Sequence, residues 1–245
     1  MTQRTDDRIQ RATNWALRRL VIGPLIRARV SADVTGQHYI PHGAAVLAFG
    51  SHTSEAESLI IPSYLGRWRI HFYAKEEYWH KGGFLRWFMD ATGQIPVNRR
   101  DARAARAVVD RGVELLLRGE KIAIYPEGTR SPDGKLHGGH TGVARAVIGA
   151  IRAGMNPGDV PIIPGGLMGM ELTSPTGSGF IPKPARVSIA IGAPIYVTDS
   201  EAEQITASKR HDTAIVRRLT LAMMLSIATL CGKEYDPVVL PLPNH

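Results

Sequence analysis

The sequence is poor in cysteine, because Cys231 is the only one among its 245 residues. A single thiol excludes an internal disulfide and leaves no thiolate cluster for a structural zinc ion. Such a chain is typical of a reducing compartment. We expect Cys231 to be a packing thiol in a helix rather than a reactive group.

Long apolar runs are also absent. A membrane-spanning helix needs about 18 or more apolar residues in a row, and the longest candidate, LTLAMMLSIATLC at 219–231, is too short. The N-terminal stretch lacks the uninterrupted apolar core of a signal peptide, because Arg18 and Arg19 divide its apolar residues. We therefore expect a protein that is not exported and that touches a membrane without crossing it.

Several short motifs of known chemistry are missing. There is no Gly-x-Ser-x-Gly sequence, which argues against a serine hydrolase, and no Gly-Lys-Ser/Thr phosphate loop. Basic residues are spread along the chain without interleaved aromatic residues, which argues against nucleic acid as a partner. His137 and His140 have a spacing that suits a metal ion, but no second cluster accompanies them. We predict that they are solvated loop residues and that there is no metal site.

The composition that remains is that of a folded, basic protein. Hydrophobic residues make up 44% of the chain and charged residues 21%, which suits one large domain, alone or with a small appendage. The net charge of +8 favours an anionic partner such as a membrane surface or a phosphorylated substrate. Charge by itself does not choose between these partners.

Residues 7–27 have the pattern of a basic amphipathic helix. Its apolar stripe comprises Ile9, Ala12, Trp15, Ala16, Leu20 and Ile26, and the surrounding arginines are Arg8, Arg11, Arg18, Arg19 and Arg27. A helix of this kind with a tryptophan suits the headgroup layer of an anionic membrane. It also fits a helix that packs on the domain with a solvated basic face, and the sequence leaves both interpretations open.

The rest of the chain alternates between short apolar segments and helical segments. We predict strands at 44–49, 69–74, 94–97, 121–125, 160–164 and 186–191, and helices at 55–64, 82–91, 101–118, 141–153 and 200–231. This alternation indicates an α/β fold with a central, mostly parallel or mixed sheet flanked by helices. We expect a membrane-associating segment at 1–30, the α/β domain at 31–200, and a C-terminal helix and tail at 201–245.

Polar residues collect just after three of the predicted strands, where ligands bind in open α/β sheets. His52 follows the strand at 44–49, Arg99 and Arg100 follow GQIPV, and YPEGTRS at 125–131 follows KIAI. An isolated pair of arginines is often surface charge. The three groups together describe a base beside a site for a phosphate.

His52 and Glu57 are candidates for a catalytic pair. A neutral imidazole can take a proton from a hydroxyl, and a carboxylate on its other nitrogen fixes the tautomer and stabilises the imidazolium that results. Glu57, in the first turn of the predicted helix, leans back toward the N-terminus and can reach His52. However, Ser54-x-x-Glu57 also matches a capping box, in which Glu57 would bond the Ser54 amide without any chemistry.

The YPEGTRS segment is a candidate anion site. Pro126 and Gly128 favour a tight turn whose backbone amides can face an anion, while Glu127, Thr129 and Arg130 add a carboxylate, a hydroxyl and a guanidinium. The alternative is an ordinary turn with a solvated arginine.

The order of these segments resembles a known family. His52 with a carboxylate five residues later, then GQIPVNR, YPEGTRS and VPIIPGGL, is similar to the four ordered blocks of the 1-acylglycerol-3-phosphate (PlsC-type) acyltransferases, which belong to the glycerolipid acyltransferases. The resemblance runs from about Val34 to Val197, and YAKEEYW at 73–79 adds to it. It implies the glycerolipid acyltransferase fold for this chain.

The resemblance implies a reaction and its residues. His52 would deprotonate the hydroxyl of a lysophospholipid, which attacks the thioester of acyl-CoA or acyl carrier protein, and Glu57 would orient His52. No metal or further cofactor is implied, and the enzyme would work as a peripheral protein on the cytoplasmic face of the membrane. The residues expected to hold or shape the substrates are Ser54, Arg99, Glu127, Gly128, Thr129, Arg130 and Pro164.

Two departures from the family pattern leave the acceptor open. The family usually has aspartate where this chain has Glu57, and relatives often carry a lysine where this chain has Gly138, Gly139 and His140. Another lysolipid or a glycolipid is therefore an alternative acceptor. A non-catalytic lipid-binding protein of the membrane surface and a thioesterase are alternative functions.

Overall fold

The structure is a computed structural model that describes residues 15–50, 52–54, 56–66, 68–80, 82–97, 102–129, 133, 135–174 and 181–240. It begins with a π-helical stretch, Leu17–Ile22, that runs directly into helix α1, Gly23–Arg27. The predicted N-terminal helix is therefore confirmed from residue 15 onward, and residues 7–14 lie outside the described part.

The predicted apolar stripe of this helix does not pack as one face. Ile26 is buried with 5% exposure, whereas Trp15 is 57% and Leu20 is 64% exposed. Val21 and Leu25, outside the predicted stripe, are exposed as well. The π-helical turn changes the angular spacing of side chains from that of an α-helix. The apolar stripe was predicted with α-helical spacing, so the prediction that Trp15 and Leu20 share a buried face with Ile26 is wrong.

Nine strands and eight α-helices make up the described chain. The strands are β1 (Val30–Thr35), β2 (Ala45–Gly50), β3 (Ile70–Lys75), β4 (Ile95–Val97), β5 (Lys121–Ile124), β6 (Leu136–Gly138), β7 (Ile162–Met168), β8 (Ala185–Ile191) and β9 (Tyr235–Val239). The helices after α1 are α2 (Glu57–Tyr64), α3 (Glu77–His80), α4 (Gly83–Thr92), α5 (Ala102–Leu117), α6 (Gly142–Arg152), α7 (Asp199–Ala207) and α8 (Asp212–Cys231).

Seven strands form one sheet in the order β1-β8-β7-β2-β5-β3-β4, and β6 pairs with β9 in a separate ribbon. Neighbours in the large sheet are parallel, except for the antiparallel pair β7 and β8. The prediction of a mostly parallel sheet flanked by helices is confirmed.

The core lies on both faces of this sheet. In β2, Val46 and Ala48 belong to a cluster with α5, α6 and α8, while Leu47 and Phe49 belong to a cluster that includes Ile60 of α2. Successive side chains of a strand point to opposite faces. Both faces of β2 are covered, so all its residues are buried and it reads as a continuous apolar run.

The reversal of β8 decides where the N-terminus of the domain lies. Because β8 is antiparallel to β7 and parallel to β1, Val30 at the start of β1 pairs with Ala185 at the start of β8. The start of β8 lies beside the end of β7, where Met168 pairs with Ser188. The N-terminal helical segment, which precedes β1, is therefore placed at the edge where β7 ends.

Two glycines explain why β7 is longer than predicted. Proline and glycine in the PGGL sequence suggest a turn, but the strand continues through Gly165 and Gly166. A Cβ on Gly165 would lie 2.4 Å from the Phe49 ring, and one on Gly166 would lie 2.6 Å from the Leu230 backbone. These glycines let a buried ring and helix α8 approach the strand closely.

The single C-terminal helix predicted at 200–231 is wrong, because the structure has two helices, α7 and α8. The N-terminus of α7 is a capping box of Thr198 and Glu201. Its end is set by Ser208, which has extended backbone angles and stops the helix. The sequence periodicity continues across this break, which explains why it was not predicted.

The sequence analysis did not predict four short elements, and in each case the residues of the element itself explain why. Strand β1 is half buried and mixes apolar with polar residues, β6 has three residues, β9 contains Pro237, and α3 is a single turn.

Helix α8 is both apolar and central to the fold. It is 20 residues long and reaches a mean hydropathy of 1.6 over an 18-residue window, which is the length and composition of a membrane-spanning helix. The described part of the chain holds one such helix. One face of the helix, with Ile215, Leu219, Met223 and Ile227, is buried in the core beside β7 and α6, while Leu221 and Leu225 are exposed. Cys231, its last residue, is buried, as predicted for a packing thiol.

Candidate active site

The candidate site lies where three adjacent parallel strands end. Strand β2 lies between β5 and β7, and Gly50, Ile124 and Met168 are the last residues of these three strands. We call this the carboxyl edge. The segments 52–54, 125–129 and 169–174 leave the sheet there, so residues far apart in the sequence come together.

His52 and Glu57 form the pair that their spacing predicts. Nδ1 of His52 lies 2.6 Å from Oε2 of Glu57. The Glu57 side chain is 1% exposed and that of His52 is 25% exposed. A carboxylate only accepts hydrogen bonds, so the proton of the neutral imidazole is on Nδ1 and the lone pair is on Nε2. This is the tautomer required of a general base acting through Nε2.

The capping box predicted from Ser54 and Glu57 forms only in part, because the N-cap of α2 is Ala56 and no side chain caps the helix there. Glu57 still bonds the loop before the helix. Its Oε1 accepts hydrogen bonds from the amides of Thr53 and Ser54, each at 2.8 Å. The hydroxyl of Ser54 accepts from the amide of Ala56, at 3.2 Å. The two interpretations are therefore not exclusive, since one carboxylate oxygen holds the loop before α2 and the other orients His52.

Ser54 is fully buried in the loop between β2 and α2. Its Oγ lies 2.9 Å from Oγ1 of Thr173, which donates to the carbonyl oxygen of Met170 at 2.6 Å. These contacts join the loop after β2 to the loop after β7. The predicted contact of Ser54 with a substrate stays a prediction.

Thr173 is a site residue that sequence reasoning missed. It lies in a loop rich in serine, proline and glycine, with no pattern that marks it as functional. Only the adjacency of β2 and β7 brings it to Ser54. That adjacency depends on strand order, which a single sequence does not supply.

Tyr125 begins the turn after β5, and the sequence predicted no role for it. Its ring is stacked on the ring of His52, with centroids 4.2 Å apart and planes inclined by 23°. Its hydroxyl is sealed from solvent. Burial, and secondarily the negative charge of Glu57, raise the pKa of this hydroxyl well above its ordinary value. Tyr125 is therefore a neutral ring at physiological pH.

The turn that follows Tyr125 has the tight geometry predicted for it. Gly128 has φ +66°, which favours glycine, and its amide donates to the carbonyl oxygen of Tyr125 at 3.1 Å. Glu127 is 2% exposed, and its Oε1 accepts a hydrogen bond from the His137 amide at 3.2 Å. Thr129 is half-buried at the end of the described turn. Because Tyr125 at its start stacks on His52, the turn begins beside the catalytic candidate His52.

The prediction that His137 is a solvated loop residue is wrong. His137 belongs to β6 and is 4% exposed, with Nε2 2.8 Å from Oδ1 of Asp133 and Nδ1 3.7 Å from Oδ2 of Asp236. Pairing of β6 with the unpredicted strand β9 buries it. His140 is partly buried, and burial lowers the pKa of its imidazole. Among the described residues, no cluster of three or more His, Cys, Asp or Glu side chains could hold a metal ion.

The remaining predicted residues lie elsewhere or outside the described chain. Pro164 is buried inside β7, where it pairs with Ala48, four residues before the end of the strand. Arg99, Arg100 and Arg130 lie outside the described residues. Their roles stay predictions.

The fold and this histidine–carboxylate pair define a class of protein. Residues 31–168 match the family model described as Acyltransferase. The match spans more than half of the chain and includes His52, Glu57 and the turn after β5. The chain belongs to the acyltransferase family.

Named relatives are similar to the chain over about half its length. A chloroplast 1-acyl-sn-glycerol-3-phosphate acyltransferase of Brassica napus is 34% identical over 128 residues, which cover 52% of this chain and 34% of that protein. The 1-acyl-sn-glycerol-3-phosphate acyltransferase of Borreliella burgdorferi is 31% identical over 107 residues, covering 44% of this chain and 42% of that protein. The chain thus spans less than half the length of these curated relatives.

A solved structure is similar in fold. The crystal structure of the 1-acyl-sn-glycerophosphate acyltransferase PlsC from Thermotoga maritima matches with a TM-score of 0.58 at 18% identity. The match covers 91% of this chain and 81% of that chain. It extends the similarity of fold beyond the residues that the family model matches.

Proposed function

We propose that this protein transfers a fatty acyl group from a thioester to the free hydroxyl of a lysophospholipid, and that 1-acylglycerol-3-phosphate is the acceptor and phosphatidate the product. The observation that carries the proposal is the 2.6 Å contact between His52 and Glu57 at the carboxyl edge, beside the turn at 125–129. Membership of the acyltransferase family supports the reaction type.

His52 acts as the general base in this proposal. Its Nε2 takes the proton of the acceptor hydroxyl as the oxygen attacks the thioester carbonyl carbon, and Glu57 stabilises the imidazolium that forms. The tetrahedral intermediate then collapses, the carbon–sulfur bond breaks, and the imidazolium returns the proton to the leaving thiolate. The products are an ester and a free thiol, of coenzyme A or of acyl carrier protein, and no acyl-enzyme forms.

We assign the phosphate of the acceptor to the turn and to two arginines of the sequence blocks that resemble the family. Arginine binds phosphate through paired hydrogen bonds, and Arg99 and Arg130 are the candidates. Thr129 adds a hydroxyl donor, Gly128 keeps the turn tight with its amide bonded to the Tyr125 carbonyl, and we assign Glu127 to a glycerol hydroxyl of the acceptor. Ser54 supports the loop that carries the base.

We assign the protein to the cytoplasmic face of the membrane as a peripheral enzyme. Trp15, Leu20, Val21 and Leu25 expose apolar surface, and Arg19 on the same segment is exposed. This segment precedes β1, whose start lies at the carboxyl edge. Apolar side chains beside cations suit insertion into an anionic headgroup layer. A lipid acceptor could then enter the site directly from the membrane.

The release of free thiol from acyl-CoA tests the function. We expect release to depend on added 1-acylglycerol-3-phosphate and to match the amount of phosphatidate formed. A panel of other lysolipids and glycolipids with the same labelled acyl-CoA, repeated with acyl carrier protein as donor, identifies the preferred pair. Equal release without any acceptor would mean a thioesterase. Vesicle binding without thiol release under any condition would mean a lipid-binding protein.

A further inference from the structure

The imidazole of His52 has contacts of two kinds. Glu57 meets its Nδ1 in the plane of the ring, and Tyr125 covers one face of the ring at 4.2 Å. A single hydrogen bond fixes the direction of Nδ1 but leaves the ring free to tilt about that direction. A stacked ring restricts the tilt, so the two contacts together define where Nε2 points.

We propose that Tyr125 is a positioning residue for the reaction proposed above: its ring holds His52 in line for the acceptor hydroxyl and stabilises the imidazolium that forms during proton transfer.

The stabilisation follows from the charge distribution of the two rings. The face of an aromatic ring carries partial negative charge and attracts a cation that lies over it. The neutral imidazole gains little from this attraction, whereas the imidazolium gains more. The contact is therefore stronger after proton transfer than before it, which is the condition for lowering a reaction barrier.

The surroundings of Tyr125 suit this role. Phe49 lies 6.5 Å from it between ring centroids, so the ring is supported on the side of the core. Among the described residues, Glu57 from α2 contacts His52 and acts on Tyr125 through its charge, and Glu127 lies two residues after Tyr125 on the same turn. Glu127 bonds the His137 amide. A hydroxyl that stays neutral does not add a second negative charge beside Glu57.

The test compares Tyr125→Leu, which removes the ring but keeps an apolar side chain, with Tyr125→Phe, which keeps the ring. We expect Tyr125→Leu to lower kcat about 5- to 30-fold, the range of a cation–π contact, with little change in KM for the acceptor. Tyr125→Phe should recover most of that loss. Incorporation of fluorinated phenylalanines at position 125, which weaken the negative face at similar size, should lower kcat progressively.

Tyr73→Leu is the matched control. Tyr73 is a partly buried tyrosine whose hydroxyl donates to the Val108 carbonyl oxygen at 3.3 Å, and it packs against the core cluster on the other face of the sheet. Its variant should keep the wild-type kcat per folded molecule. A Tyr125→Leu enzyme with the kcat of this control, or a Tyr125→Phe enzyme as slow as Tyr125→Leu, would overturn the assignment.

A second measurement separates this assignment from the proposed reaction. In protein labelled with 13C-histidine, the carbon-bound protons of His52 should lie upfield because of the Tyr125 ring current, and Tyr125→Leu should remove that shift. This readout needs no substrate, so it remains informative even if the acceptor differs from the one proposed. An unshifted His52 signal in the wild-type protein would overturn the stacking, whatever the activity.

Discussion

Glu57 is the residue on which both the loop and the base depend. It is almost fully buried, and its two oxygens have different partners: the amides of Thr53 and Ser54 on one, and Nδ1 of His52 on the other. Burying a carboxylate is costly unless it is paired and hydrogen-bonded, and here three donors satisfy it. The extra methylene of glutamate relative to aspartate supplies the reach from the first turn of α2.

Two replacements of Glu57 should separate the effect of its negative charge on the acyl transfer rate from the effect of its side-chain length. Glu57→Gln keeps the length, but its amide NH2 group would face the proton on Nδ1 and force the other tautomer, so we expect a rate loss on the order of 1,000- to 10,000-fold. Glu57→Asp keeps the charge and loses about 1 Å of reach, for a loss on the order of 100-fold. Steady-state acyl transfer rates measure both. Small and equal losses would limit the role of Glu57 to holding the loop before α2.

The sequence predicted those contacts of the site that join residues close together in the chain. His52 and Glu57 are five residues apart, and one loop followed by one helical turn brings them together. The contact of His52 with Tyr125 and that of Ser54 with Thr173 depend on which strands are neighbours. Apolar patterns identify strands but do not order them.

At the scale of elements, the close approach of α8 to β7 organises one half of the core. Gly166 has room for no side chain, because Leu230 of α8 lies against it. The same helix passes Gly50, where a Cβ would lie 2.0 Å from the Ile227 side chain. Glycines at the carboxyl edge therefore set the distance between the helix and the strands that carry the site.

Gly166→Ala tests that packing. The added methyl group would meet the Leu230 backbone, which cannot rotate away, so we expect the free energy of unfolding to fall by about 1–3 kcal/mol. Urea denaturation measures the change. Gly158→Ala is the control, because nothing lies within 4 Å of its Cβ position, and it should stay within about 0.5 kcal/mol of the wild type. Equal stability of the two variants would contradict the close approach.

The elements themselves were predicted where an apolar run or a helical period was long. Strands β2, β3 and β5 and helices α5 and α6 lie close to their predicted bounds. The break between α7 and α8 was missed because apolar periodicity continues through it, and β9 was missed because Pro237 is unusual in a strand.

At the scale of the whole molecule, the antiparallel pairing of β7 with β8 determines which edge of the sheet the N-terminal segment shares. With β8 reversed, the segment before β1 and the loops after β2, β5 and β7 all lie at the carboxyl edge. The exposed apolar residues of the N-terminal segment thus share an edge with His52. A net charge of +8 adds attraction to anionic lipid.

Vesicle binding tests this arrangement. A Leu20→Ser, Leu25→Ser double variant should bind vesicles containing phosphatidylglycerol about tenfold or more weakly, because each exposed leucine would contribute its transfer from water to the bilayer interface. Raising the salt concentration should weaken binding of the wild type further. Leu117→Ser is the control, since Leu117 is also exposed but precedes β5, at the opposite edge of the sheet. Equal binding of the double variant and this control would exclude the N-terminal segment as the membrane contact.

The most direct test of the account is the acceptor-dependent acyl transfer rate of His52→Ala, measured alongside His80→Ala, which truncates an exposed histidine on α3. We expect His52→Ala to keep the wild-type melting temperature and to lose at least about 100-fold in rate, the usual contribution of a general base, while His80→Ala keeps its rate. Transfer by folded His52→Ala protein at the rate of the wild type would contradict the assignment of His52 as the base.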